Sequence, residues 1–123
     1  MTDSRKGMID VIGNMIAEEL EVANKSFPLF ASWHESYAVI KEEVEEAAEN
    51  MELITEEGMM YLWNSIRMKD VDEDARVANV EGIRKLAVEA IQELVQVAAM
   101  CDKSIKSMEK DIPADEVEDK ENE

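Results

Sequence analysis

The sequence predicts an all-α protein that ends in a long C-terminal helix. Two observations lead to this fold class: apolar residues recur at helical spacing along most of the chain, and turn-forming residues are rare. The 123 residues include only four Gly and two Pro, whereas a β-sandwich or barrel needs frequent turns between strands. This length suits one folded domain rather than two independent cores.

The first two helices are predicted over residues 4–25 and 32–52. The second begins with a capping box, because the Ser32 hydroxyl can accept from the third helical amide and Glu35 can reach back to the Ser32 amide. Apolar side chains at helical spacing are expected to form the core stripes of both helices. Those residues are Met8, Ile12, Met15, Ile16 and Leu20 on the first helix, and Trp33, Tyr37, Ile40, Val44, Ala47 and Met51 on the second.

A short third helix and a long fourth helix complete a four-helix-bundle-like arrangement. Thr55 resembles an N-cap for the third helix, which is predicted to run to about Lys69 before a polar break at residues 70–74. The last helix is predicted over residues 75–108, and Gly82, at a cost of about 1 kcal/mol, is its one weak point. Residues 1–110 are therefore expected to form one domain. Residues 111–123 hold seven acids and one Lys, which predicts a disordered acidic tail.

The last helix is apolar nearly all round between Leu86 and Cys101. Such a helix has to be covered on more than one side. Three other helices, one of them short, offer little cover, and the nine Met residues suit an adaptable interface. We therefore expect an oligomer, either a homodimer or a homotetramer.

The charge balance restricts the partners. The formal net charge is −17, so binding to nucleic acid or to an anionic membrane surface is not expected. A cationic partner or a metal ion fits better. Cys101 is the only cysteine, and no signal peptide or membrane span is recognisable, which makes the cytoplasm the expected location. A zinc site is not predicted because His34 has no second histidine to join it.

Acidic residues flank the apolar stripes of two helices. Glu43 and Glu46 lie three residues apart on the second helix, and Glu89, Glu93 and Gln96 occupy the matching flank of the last. If these flanks meet, carboxylates converge at the border of the core, where a cation would have to compensate their charge. Mg²⁺ suits such oxygen ligands. The alternative is a glutamate-rich face that is simply solvated.

Two short blocks resemble the metal-binding helices of MazG-like nucleotide pyrophosphohydrolases. Residues 34–46, HESYAVIKEEVEE, contain Glu43 and Glu46 in the Glu-x-x-Glu half of the family signature. Residues 93–100, ELVQVAAM, resemble the second half as it occurs in phage-type members, with Glu93 as the third ligand. The resemblance implies an all-α Mg²⁺ enzyme that cleaves a nucleoside triphosphate between the α and β phosphates, giving the monophosphate and pyrophosphate.

The same resemblance implies roles for further residues. Glu43, Glu46, Glu93 and Gln96 would hold Mg²⁺, and Glu42 or Glu89 would act as general base or support the ligands. The available phosphate partners are Lys41, Arg84, Lys85 and Lys103. Tyr61 and Trp63 either stack on the nucleotide base or pack in the core.

Two departures from the family pattern keep other functions open. Gln96 replaces the signature Asp, and the gap between Glu46 and Glu93 is longer than usual, which makes residues 53–74 an insertion. One alternative is a relative that binds nucleotide but has lost its chemistry. Another, from a different class, is an acidic helical protein that binds a basic partner.

Overall fold

The fold is all-helical in the computed structural model, which describes residues 3–26 and 29–111. The elements are α1 (Asp3–Ser26), α2 (Trp33–Glu52), a π-helical segment (Leu53–Gly58), α3 (Met59–Arg67) and α4 (Glu73–Asp111). The predicted fold class and the long C-terminal helix are confirmed. Among the described helices, none combines the length and apolar character that crossing a bilayer requires.

The predicted cap at the start of α2 is present. The Glu35 amide donates a hydrogen bond to Ser32 Oγ at 3.1 Å, as a capping serine requires. The Glu35 carboxylate reaches back by one residue more than expected and accepts from the Ala31 amide at 3.1 Å. Two amides at the helix entrance are thus satisfied by side chains.

The predicted helix start at Thr55 is wrong. Thr55 lies inside the π-helical segment, and its hydroxyl donates to the Glu52 carbonyl at 3.2 Å. A threonine hydroxyl bonds to a preceding carbonyl in this way inside a helix as well as at its end. Glu52 and Gly58 both keep right-handed helical dihedral angles. Residues 33–67 are therefore one uninterrupted helical stretch, and the described residues form three helical stretches where four helices were expected.

α4 begins and continues close to the predicted bounds. Asp72 caps it, because its Oδ1 accepts from the Ala75 amide at 3.0 Å. The helix passes through Gly82 without a break. It extends to Asp111, and the predicted acidic tail otherwise falls in residues 112–123, outside the described residues.

The chain divides into two compact units. The first consists of Met1–Lys41 with Val95–Glu123, and the second is Glu42–Leu94. The core of the first unit is small and is built from Leu20, Phe30, Ala99 and Met100. Ser107 ties the loop before α2 to α4, because its Oγ accepts the Phe30 amide at 2.9 Å.

The second unit is an antiparallel pair of helices. The Arg76 side chain donates from Nε to the Ser65 carbonyl at 2.9 Å, and Asn79 donates to the Tyr61 carbonyl at 3.2 Å. One turn further on, Gly58 lies against Ile83, where a Cβ on residue 58 would come within 3.0 Å of Cγ1 of Ile83. Glycine thus leaves room for the Ile83 side chain against the first helical stretch. These contacts set the register of the pair.

The predicted core stripe of α2 is largely exposed, and this is a correction. Ala47 is buried and Ile40 is half-buried, but four other members of the stripe have exposed fractions of 45–66%: Trp33, Tyr37, Val44 and Met51. The stripe of α1 is also only partly covered, with Leu20 buried and Met8 exposed. The face of α2 that points inward in the second unit carries small and polar residues, which an apolar periodicity does not mark.

Candidate metal centre

Three carboxylates converge in the second unit. Glu43 and Glu46 project from successive turns of α2, and Glu93 comes from the antiparallel α4. One carboxylate oxygen from each lies within 4.8 Å of the others. Glu43 and Glu93 are half-buried and Glu46 is exposed. The cluster is therefore partly covered by protein and is open to solvent at Glu46. The convergence expected from the sequence is thus present for these three residues.

The cluster is electrostatically unfavourable for three full negative charges. The pKa of Glu93 is raised by its partial burial, by a side-chain hydrogen bond with Glu46 and by the negative charge of Glu46. A hydrogen bond between two carboxyl groups needs a proton, so the raised pKa and this contact have the same origin. A bound cation would remove the need for that proton.

The donor set indicates the class of cation that the site could hold, which is a hard cation with oxygen ligands. All three donors are carboxylate oxygens, the ligands that Mg²⁺ prefers, and no His or Cys belongs to the cluster. Mg²⁺ commonly uses a few carboxylates and completes its coordination with water and substrate phosphate. The open side at Glu46 suits that behaviour, so the residues present fit Mg²⁺.

The other predicted acidic residues, Glu42 and Glu89, lie near the cluster in sequence but are not part of it. Glu89 is half-buried on α4, one turn before Glu93, and Glu42 is exposed beside Glu43. Neither belongs to the group of carboxylates that comes within 4.8 Å. Gln96 is half-buried on α4, one turn beyond Glu93. Its predicted role as a ligand stays a prediction.

The predicted phosphate partners differ in accessibility. Lys41, Arg84 and Lys85 are exposed. Lys103 is only 2% exposed, and its Nζ lies 4.9 Å from the centre of the Phe30 ring in the first unit. This buried position does not support Lys103 as an accessible phosphate partner.

Tyr61 and Trp63 are too far along the helix to serve a nucleotide held at the carboxylates. They lie fifteen and seventeen residues beyond Glu46, which corresponds to roughly 22 and 25 Å along a helix. Both side chains are more than half exposed. The core interpretation therefore does not hold within one chain either.

The residues that align the two helices of the site were not predicted from the sequence. Arg76 and Asn79 bind carbonyls of α3 through their side chains. A signal was available, because they share one face of α4 with Ile83 and the buried Ala90. Polar residues on an otherwise inward stripe are typical of helix-to-helix hydrogen bonds.

The carboxylate cluster has to be interpreted from its own chemistry. None of the protein-family models, curated proteins or solved structures with which the chain was compared matches it.

Proposed function

We propose that the protein is a Mg²⁺-dependent nucleoside triphosphate pyrophosphohydrolase that releases a nucleoside monophosphate and pyrophosphate. The observation that carries the proposal is the convergence of Glu43, Glu46 and Glu93 from two helices. These are the three residues that match acidic positions of the MazG-like signature. The reaction type comes from that resemblance, and the geometry supports the cation that the reaction needs.

The three carboxylates would hold the metal. Mg²⁺ held there would neutralise the charge of the triphosphate and make a water more acidic. An acidic chain with a net charge of −17 repels a nucleotide, so charge neutralisation is a condition for binding as well as for cleavage. Gln96, with no charge of its own, would orient a water or the substrate through its amide.

Proton transfer is assigned to the carboxylates that flank the ligands. Glu89 is half-buried on the same helix as Glu93 and would accept the proton of the attacking water. Glu42, which is exposed beside Glu43, is the second candidate base. Lys85 is an exposed cation two turns before Glu93 on α4 and would contact the phosphates.

A second candidate function follows from Gln96. Where the family signature carries an acid, this chain carries an amide, which weakens the attraction for a cation. The chain would then bind a nucleotide with Mg²⁺ without cleaving it. Exposed glutamates of α2, among them Glu42 and Glu49, support binding to a basic partner as a third candidate.

Metal binding is tested first through stability. Mg²⁺ should stabilise the native protein by about 2.7 kcal/mol at one hundred times its dissociation constant. Glu46→Gln should remove this gain, whereas Glu49→Gln, a matched change at an exposed glutamate outside the cluster, should keep it. Equal stabilisation of all three proteins would place the metal elsewhere.

The reaction is tested with a panel of ribo- and deoxyribonucleoside triphosphates in the presence of Mg²⁺. At least one should yield monophosphate and pyrophosphate without orthophosphate, and Glu46→Gln should abolish the product that Glu49→Gln still forms. Mg²⁺-dependent binding without cleavage would favour the second candidate. Neither binding nor cleavage would leave an acidic protein that binds a basic partner.

A further inference from the structure

The second unit has one inward-facing stripe on each of its two helical stretches. Every residue of these stripes is buried or half-buried. On the first stretch they are Glu43, Ala47, Asn50, Ile54, Gly58, Leu62 and Ser65, and on α4 they are Arg76, Asn79, Ile83, Leu86, Ala90 and Glu93. Only three of them are fully buried: Ala47, Ser65 and Ala90. The unit therefore buries no large apolar side chain completely.

The large apolar side chains of this unit lie beside the inward stripes. Nine of them directly follow an inward-facing residue, and their exposed fractions are 45–61%. We call these nine residues the apolar face: Val44, Met51, Met59, Trp63, Ile66, Val77, Val80, Ile91 and Leu94. A step of one residue rotates the side chain by about 100°, and in an antiparallel pair the steps on the two helices turn onto the same side. The nine side chains therefore share one side of the pair.

The opposite side of the first stretch is acidic. The residues that directly precede the inward-facing ones include Glu42, Glu46, Glu49 and Glu57, all of them exposed. The pair of helices thus has a solvated acidic side, from which Glu46 reaches the carboxylate cluster. In an amphipathic helix the polar side faces solvent, and here the acidic side has that role. The exposed apolar face is therefore not explained as an ordinary solvent-facing surface.

We infer that the apolar face binds a second copy of this chain. The area is sufficient, because nine side chains that are each about half exposed offer on the order of 800 Å² per chain, which is what a standard interface buries on each partner. A two-fold axis would bring the same face of both copies together. This inference does not rest on the proposed enzymatic function.

The charge distribution favours a second copy over a cationic partner. Residues 59–88 contain five acidic residues (Asp70, Asp72, Glu73, Asp74, Glu81) and five basic ones (Arg67, Lys69, Arg76, Arg84, Lys85). This segment is neutral, so the whole net charge of −17 lies outside it. Five of the nine residues of the apolar face lie in this segment (Met59, Trp63, Ile66, Val77 and Val80). There, two copies can meet without the repulsion that the acidic remainder of the chain would cause. A cationic partner would be drawn to the acidic side instead.

Sedimentation of the full chain tests this inference. The wild type should sediment as a dimer at micromolar concentration. Ile66→Asp, which places a charge on the apolar face, should weaken the dimer by more than about tenfold. Ile105→Asp is the matched control, because Ile105 is exposed to the same degree (55% against 52%) but belongs to the first unit. A monomeric wild type, or a dimer that only Ile105→Asp dissociates, would overturn the inference.

A second measurement uses the wild type alone and does not depend on how a variant folds. Peroxide oxidises exposed methionines, and Met51 and Met59 belong to the apolar face whereas Met8 lies on α1 and is 63% exposed. As the protein concentration rises, Met51 and Met59 should become protected while Met8 stays reactive. Equal reactivity of all three at high concentration would exclude this face as the interface.

Discussion

At the scale of single residues, Glu93 is the group that couples the site to stability. Its partial burial is imposed by its inward position on α4, where Glu46 supplies the hydrogen bond and the negative charge that raise its pKa further. Without a metal, the native state therefore holds a proton on Glu93 at a pH where the unfolded chain has released it. This proton is the one that a cation would displace.

The stability of the metal-free protein should consequently depend on pH through Glu93. A carboxyl whose pKa is raised in the native state contributes stability that is present below its unfolded pKa and is lost as pH rises through its native pKa. Glu93→Gln keeps the hydrogen-bonding side chain without the charge. We expect this variant to be more stable than the wild type at about pH 7, with the difference disappearing near pH 4, because the unfolded pKa of a glutamate is about 4.3.

Urea unfolding across this range of pH measures the difference. Glu49→Gln is the control, because Glu49 is an exposed residue of the same helix as Glu46 and lies outside the cluster. Its pH profile should run parallel to that of the wild type. If the Glu93→Gln profile also runs parallel, Glu93 does not carry the raised pKa.

Two helix-cap predictions show which structural features local sequence can and cannot predict. The Ser32 and Glu35 pair could be predicted because both partners of a capping box lie within four residues. Thr55 followed by two acids is an equally good local signal, yet the helix continues through it. What differs is the inward-facing residues on both sides of Thr55, which pack against α4, and local sequence does not report that packing.

At the scale of elements, the π-helical segment keeps the inward-facing residues before it and after it on the same face of the helical stretch. The inward-facing residues Glu43, Asn50, Gly58 and Ser65 are separated by seven, eight and seven residues. Seven residues complete about two α-helical turns, and the step of eight spans Leu53–Gly58, where the helix is π-helical. The wider π turn accommodates the additional residue. The inward-facing stripe and the apolar face of this helical stretch therefore keep their orientation from α2 into α3.

Deleting one residue from this segment should accordingly be tolerated. Removal of Thr55 turns the step of eight into seven, and an ordinary α-helix then carries the same faces. We expect helicity and the thermal midpoint to be unchanged or raised, because π-helical turns are less favourable than α-helical ones. The deletion also removes the hydrogen bond from the Thr55 hydroxyl to the Glu52 carbonyl, which is exposed and contributes little.

The control deletion is Ala48, an exposed residue of the α-helical part. It brings Met51 into the inward stripe and Glu52 onto the apolar face. The midpoint should fall by about 5 °C or more. Circular dichroism melts of the two deletions decide the matter, and equal losses would show that the π-helical segment has no role in phasing.

The prediction of the core stripe of α2 was wrong for a physical reason. Apolar periodicity located the helix correctly but assigned its stripe to the interior. The inward positions include Asn50, Gly58 and Ser65, which are small or polar residues, and Gly58 leaves room for the Ile83 side chain of α4. The large apolar side chains lie beside these inward positions, on the apolar face. A period of apolar residues shows that a face needs cover, but it does not show whether the same chain supplies that cover.

At the scale of the whole molecule, the expectation of an oligomer depends on the same exposed residues. Within the apolar segment of α4, Val95, Ala99 and Met100 are buried, whereas Ile91 and Leu94 are exposed. One chain therefore covers part of that segment. The fold class and the bounds of α1, α2 and α4 could be predicted because they depend on short-range patterns. The meeting of Glu43 and Glu46 with Glu93 depends on how two distant helices pack, so the sequence predicted it only under the condition that their flanks meet. Which apolar residues stay exposed in the chain depends on that same packing.

The salt dependence of association should follow from the charge distribution. Two chains of net charge −17 repel each other, and salt screens that repulsion. The nine side chains of the apolar face are uncharged, so salt has no ion pairs among them to weaken. We therefore expect the dimer to tighten between low and high NaCl concentration in sedimentation experiments. A dimer that loosens as salt is added would indicate an interface held by ion pairs.

The π-helical segment also determines how this chain has to be aligned with others. A homologue whose helix is α-helical throughout would be one residue shorter here, and a correct alignment would place a single gap between Glu52 and Met59. Without that gap, every position from Met59 to Arg67 would be paired with a residue from a different face of the helix. Apolar residues would then be scored against inward or acidic ones, and a true relationship through this region would be underestimated.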